Sequence, residues 1–178
     1  MTCNTSKTVC MVFPPSNRNC IIGPVFPSFV INQHTIKFVP KFKYLGHIIS
    51  NNFTYDEDID REIRNMFVTL ARKFVQCSLS VKIQLFKTFC LCFYDIVLWS
   101  VFKRGTIQNF RSCYHKCIKL FFKYRRSDSV TGILSVTGLP SSDTVLFTAQ
   151  HVFSCKWNTC NNEIVNKFRV LDVPYYKF

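Results

Sequence analysis

Between Val81 and Phe102 the chain is apolar on nearly every side of any helix drawn through it. Ile83, Leu85, Phe86, Phe89, Leu91, Phe93, Ile96, Val97, Leu98 and Trp99 fall on all faces. A helix of that kind has to be surrounded by protein or lipid. Its most apolar stretch, Phe89 to Phe102, is short for a bilayer crossing and carries Asp95. The sequence therefore predicts a core helix over 81–102, capped by Ser78 or Ser80, and a bundle built around it.

Neighbours for that helix are legible on both sides. Ile59, Ile63, Phe67, Leu70 and Phe74 recur at helical spacing and predict a helix from about Tyr55 to Gln76. Thr54 and Glu57 have the spacing of a capping box. Gly105 and Thr106 restart the chain after the core helix. A third, two-faced helix is predicted over Ile107 to Tyr124, with Ile107, Phe110, Tyr114, Cys117 and Phe121 as its apolar stripe. Ser127 to Gly138 reads as a linker, and Asp143 to Trp157 as a further helix.

The first 53 residues have a different pattern. Thr8 to Phe13 is a β-rich run closed by Pro14-Pro15, and Asn17 to Pro27 is loop-like. Phe29-Val30-Ile31 and Thr35 to Val39 flank Asn32-Gln33-His34, which signals a hairpin. Tyr44 to Ser50 reads as one more strand. The expected architecture is thus α+β: a short antiparallel β-hairpin region (1–53), a three-helix bundle (54–126), then a linker, a further helix and a tail (127–178), with about four helices in all.

Charge is segregated along these elements. The chain carries 23 Lys+Arg against 10 Asp+Glu, a formal net charge of +13. No acid occurs before Asp56, and five then fall in seven positions: Asp56, Glu57, Asp58, Asp60 and Glu62. At a helix start such a cluster complements the helix dipole, and the residues read as capping or solvated groups. Between Asp95 and Asp128 there is again no acid, while Arg111, Lys116, Lys119, Lys123, Arg125 and Arg126 accumulate on and after the third helix. Interleaved with Tyr114, Phe121, Phe122 and Tyr124, these cations suit a surface that tracks a phosphate backbone and offers an occasional stacking ring. A basic solvated face or a membrane-surface binder is the competing reading of the same charge.

Other chemistries find little support. The acidic cluster would fan around a helix instead of converging on two metal ions. Cys113-x3-Cys117 and His151-x3-Cys155-x4-Cys160 are the nearest approaches to a metal set, and neither has paired Cys-x2-Cys spacing. No glycine-rich phosphate loop is present. The start of the chain is polar, without a signal-peptide core, so the ten cysteines are read as reduced thiols and the protein as intracellular, in nucleus or cytoplasm.

An ordered set of motifs carries a family likeness. Asn4-x-x-Lys7-Thr8, Met11-Val12-Phe13, Phe42-Lys43-Tyr44-Leu45-Gly46, Val81-Lys82-x-x-Leu85-Phe86-x-Thr88, Tyr94 with Leu98-Trp99, and Gly138-Leu139-Pro140 follow one another. The series resembles the segment after the catalytic core of non-LTR (LINE-type) retrotransposon reverse transcriptases, that is, the end of the palm and the thumb. The resemblance implies that Lys7 lies near the leaving pyrophosphate. It implies that Phe42, Tyr44, Leu45 and Gly46 form a primer-gripping hairpin, and that the helices clamp a template–primer duplex. The family's Mg²⁺-binding aspartates precede the Asn-x-x-Lys-Thr box, and here no carboxylate does. The resemblance therefore implies an RNA-directed DNA polymerase relative that is inactive alone, with no cofactor or small-molecule substrate and at most residual nucleic-acid binding. A basic helical interaction module, or a peripheral membrane protein using residues 81–102, is the alternative.

Overall fold

The computed structural model describes residues 4–14, 26–70, 76–93, 96–99 and 101–170. It is α+β, as the pattern predicts, with short paired strands followed by helices. Several expectations fall partly outside the described residues: the loop after Asn17, the first helix beyond Leu70, Tyr94 and Asp95 of the core segment, and the tail from Leu171.

The strands form three two-stranded units. β1 (Val9–Cys10) pairs in parallel with β4 (Lys37–Phe38). β2 (Val30–Ile31) and β3 (His34–Thr35) form the hairpin expected there, turning through Asn32 and Gln33 at φ 48° and 65°. Two consecutive positive-φ residues match the twist of the flanking strands. β5 (Lys41–Tyr44) and β6 (His47–Ser50) form a second hairpin, pairing Lys41 with Ser50 and Tyr44 with His47. Tyr44 to Ser50 is therefore not one strand. It reverses at Leu45-Gly46, where Gly46 takes φ 97° at little cost, which a side chain could not.

Six helices occur among the described residues: α1 (Asp56–Leu70), α2 (Leu79–Phe89), α3 (Arg104–Phe122), α4 (Val130–Thr137), α5 (Ser142–Thr159) and α6 (Glu163–Val170). The predicted helix over 81–102 is corrected. α2 stops at Cys90, the Leu91 N–H donates back to the Phe86 carbonyl, and the Phe93 N–H closes a tight turn on Leu91. A single 3₁₀ turn, Ile96–Leu98, follows. The reason lies in packing. A straight helix apolar all round needs neighbours on every side. Breaking it folds Phe93 and Trp99 back onto α3, where both rings meet Phe110 edge-on at 5.1 and 5.4 Å.

The stripe on α3 is buried as expected: Ile107, Phe110, Tyr114, Cys117 and Phe121 all lie in the core. The fully enclosed Tyr114 hydroxyl donates to the Pro140 carbonyl at 2.7 Å, and burial pushes the phenol well above its ordinary range, so it remains a donor. α4 corrects the expected linker. Ser129 accepts a long contact from the Gly132 N–H as N-cap and Gly138 closes the helix at φ 61°, so eight residues of modest helix propensity are capped at both ends. Ser141 caps α5 in the same way.

The acidic cluster is corrected most sharply. Thr54 does not form the capping box with Glu57; its N–H and hydroxyl donate to Asn52 Oδ1. Glu57 meets Lys41 on β5. Asp56 Oδ1 accepts from the Lys103 N–H at 2.9 Å and from the Thr106 hydroxyl, capping α3 across the molecule. Asp58 is 0% exposed. Its carboxylate accepts from Arg61 Nε at 2.9 Å, the Ile48 N–H at 3.1 Å and Trp99 Nε1 at 3.2 Å, and lies 3.0 Å from His47 Nδ1. Glu62, also buried, pairs with Arg61 at 2.8 Å. Asp60, exposed and without a partner element among the described residues, alone of the five has the solvated role that was expected of the cluster as capping or solvated groups.

Burial alone would raise the Asp58 pKa. The hydrogen bonds from Arg61, Ile48 and Trp99, with the Arg61 charge, outweigh it and hold the carboxyl below its ordinary range. Glu62 goes the other way, raised by burial and by the Asp58 charge against the pull of Arg61.

Replacing Asp58 with Asn should destabilise the fold by roughly 3–5 kcal/mol at neutral pH, because it strands buried donors and the Arg61 charge. A depressed folded-state pKa gives stability that is present above the unfolded value, near pH 4, and lost as pH falls through the folded one. Urea unfolding of wild type and Asp58→Asn should therefore show a gap that is widest at neutral pH and narrows below about pH 4.

Candidate nucleic-acid interface

The basic residues of α3 divide into two groups. Lys116 is exposed on the helix, and Lys123, Arg125 and Arg126 are exposed where it ends. None of these four forms an ion pair with a described residue. The helix terminates because Lys123 takes the left-handed conformation at φ 62°, its N–H reaching back to Leu120 and Lys119. The Tyr124 N–H donates to the Lys119 carbonyl at 2.8 Å, and the Arg125 N–H donates to Asp128 Oδ2 at 2.7 Å. The loop that carries the arginines is thus held by backbone bonds and the Asp128 carboxylate, while Arg125 and Arg126 are exposed.

Lys119 and Arg111 belong to the second group. Lys119 Nζ donates to the Arg126 carbonyl at 2.7 Å and fixes the loop from below. Arg111 Nε meets Asp143 Oδ1 at 2.7 Å, an ion pair between α3 and α5. Their charges are partly engaged inside the protein. His115, between them, is pushed down by burial and by the Lys119 charge, which disfavour its charged form against the pull of Asp143.

The aromatic part of the expected surface is corrected. Tyr114 and Phe121 are core residues, and Phe122 packs its ring on Phe86 at 5.6 Å. The apolar stripe needs those rings more than solvent does. Tyr124 is half-buried beside the loop.

The residues singled out near the start of the chain lie elsewhere. Asn4 to Thr8 forms a turn before β1: the Thr8 hydroxyl donates to the Asn4 carbonyl at 2.8 Å and the Lys7 N–H donates to the same carbonyl. Lys7 is exposed there. Phe42 is half-buried on β5, while Tyr44 and Leu45 stand 56% and 72% exposed at the hairpin tip. Tyr44 and Leu45 line an apolar cleft of about 380 Å³ with Phe13, Phe53, Tyr55 and Leu98. The hairpin is anchored to α1 through Asp58, and Asp56 ties α1 to the start of α3. A 19-residue helix is roughly 28 Å long, so the loop at its far end stands about that distance from the anchored end. Lys123, Arg125 and Arg126 follow one another where α3 ends, Lys116 lies seven residues earlier on the helix, and the hairpin residues belong to β5 and its turn.

Cys155 Sγ lies 3.6 Å from His151 Nε2, one helical turn along α5, and Cys160 stands at that helix's C-terminus. Among the described residues no three His, Cys, Asp or Glu side chains gather as a metal site would require. Burial pushes the Cys90 and Cys117 thiols up to about 11 and about 12, which makes them inert core groups. Among the described residues no helix is long and apolar enough to cross a membrane.

Sequence reasoning missed His47, Arg61 and Trp99 as partners of Asp58, and Asp143 as the partner of Arg111. One signal was available. Asp58 and Glu62 are four apart and flank Ile59 and Ile63, so they border the stripe that faces the core. Comparison with known proteins finds no matching family model, no matching curated protein and no matching solved structure.

Both partners of the Arg111–Asp143 pair are close to half exposed, at 44% and 45%. A double-mutant cycle with Arg111→Ala and Asp143→Ala should give a coupling of no more than about 1 kcal/mol, shrinking as salt is added. A coupling well above that would mean the pair holds α5 in place.

Proposed function

We propose that the chain binds the phosphate backbone of nucleic acid, without sequence preference, through Lys116, Lys123, Arg125 and Arg126 at the end of α3. We propose further that it corresponds to the palm end and thumb of a non-LTR reverse transcriptase and performs no polymerisation by itself. The observation that carries the binding reading is the partition of charge. Asp58 and Glu62 are buried, and Asp56, Glu57 and Asp143 are each engaged with another element. Two of the ten acids are therefore buried and three more are engaged by other elements, in a chain with 23 Lys and Arg. A surface with that surplus attracts polyanions and releases their counterions on binding.

The chemical half of the proposal rests on what the acids are doing. Phosphoryl transfer needs carboxylates that converge on metal ions. The carboxylates of the 56–62 cluster are dispersed to different elements, and the most enclosed, Asp58, is saturated by donors. Lys7 has no reaction to assist in this setting.

Replacing Lys116, Lys123, Arg125 and Arg126 with Glu should abolish binding to a primer–template duplex in a filter-binding titration while far-UV circular dichroism is unchanged. Lys119 and Arg111 are left in place because each is already bonded within the protein. Wild-type affinity should fall steeply between low and moderate salt. Each cation neutralised singly should flatten the dependence of log affinity on log salt by about one phosphate. Association with lipid vesicles that survives high salt, with no duplex binding, would replace this reading by the membrane one.

With Mg²⁺ or Mn²⁺, primer–template and nucleotides, the purified chain should incorporate nothing. Primer extension above background would overturn the assignment of its acids to structure.

A further inference from the structure

Arg126-Ser127-Asp128-Ser129 is the one place in the sequence where a Ser or Thr stands three residues after an arginine. All nine arginines were open to that register and only Arg126 has it. Arg125 adds a second guanidinium four residues before Ser129. The position is also accessible. Ser129 is exposed, lies in the loop between α3 and α4, and has extended backbone at φ −66°, ψ 122°. Its hydroxyl oxygen accepts a long contact from the Gly132 N–H at 3.4 Å, which holds it only weakly.

We propose that Ser129 is a phosphorylation site read by an arginine-directed serine kinase, and that its modification switches off the basic loop. The second half rests on the nucleic-acid reading above. The Ser129 Oγ attacks the γ-phosphorus of a nucleoside triphosphate, the bond from that phosphorus to the β-phosphate bridge oxygen breaks, the diphosphate leaves, and the serine proton passes to the kinase's base. Arginine at the third position before the hydroxyl supplies the cation such kinases hold with acidic pockets.

Two consequences follow from where the phosphate lands. Ser129 is already the N-cap of α4, an end whose free N–H groups and dipole favour a dianion, so the helix tightens. The same dianion sits three to six residues from Arg126, Arg125 and Lys123 and competes with the nucleic-acid backbone for them. Gain of order in α4 and loss of binding are therefore coupled outcomes of one modification.

The test incubates the purified full chain with Mg-ATP and a serine kinase selecting arginine at that register. Intact mass and peptide mapping then locate the phosphate, and the modified protein is titrated against the duplex. Expected are one phosphoryl group on Ser129 and a loss of affinity of roughly tenfold or more. Ser129→Asn keeps an N-cap acceptor but offers no hydroxyl, and should take up no phosphate while binding as wild type. No incorporation, or incorporation at Ser127 instead, overturns the site. Phosphate on Ser129 with unchanged affinity overturns the switch. If the unmodified chain binds no duplex, the function proposed above fails, and the mass and mapping data still decide the site.

Discussion

The carboxylate of Asp58 is the group on which the arrangement depends. It collects donors from β6, from α1 itself and from Trp99, three segments that share no continuous stretch of chain. A buried anion is costly unless several donors saturate it, so each of those segments is fixed relative to α1 by the need to reach it. Asp56 and Glu57, adjacent in sequence, extend the same logic to α3 and β5. One turn of helix thereby orients the hairpin, the aromatic core and the start of the basic helix.

Apolar packing then completes what the polar hub orients. Trp99 is brought to Asp58 by its indole N–H, and its ring is left to meet Phe110. That geometry requires the chain to turn between Cys90 and Trp99, and it explains why the most apolar segment is not one helix. Propensity favours continuing α2; the aromatic contacts of Phe93 and Trp99 with α3 outweigh it, because burying one such side chain contributes roughly 2–3 kcal/mol against a few tenths per helical residue.

What was legible in the sequence follows the same division. The α+β order, the hairpin at Asn32-Gln33, and the buried stripe of α3 were legible because each is a local periodicity or a turn of known chemistry. α4 was not legible, since Ser, Thr and Gly in 127–138 signal a linker equally well, and only its two caps and the burial of Ile133 decide otherwise. The fate of the acids was hidden for another reason. Five carboxylates in seven positions look alike in one dimension; what distinguishes Asp58 from Asp60 is which side of α1 meets Trp99 and Ile48, and those partners are 41 and 10 residues away. Arg111 and Lys119 looked like their neighbours until Asp143 and the Arg126 carbonyl claimed them.

The two ends of α3 show how those hidden pairings reach the surface. Its first turn is capped by Asp56, and its buried stripe is held along most of its length by Phe86, Phe93 and Trp99. A helix so fixed acts as a strut. Its last turn ends in a left-handed Lys123, and the chain leaves at an angle that Lys119 and Asp128 then lock. Charges on a loop without such bonds would lose conformational freedom on meeting a polyanion and would bind it less well. Here that ordering is already done by Lys119 and Asp128. Committing Lys119 to the protein's own backbone therefore gives up one free cation and orders the loop that carries Arg125 and Arg126.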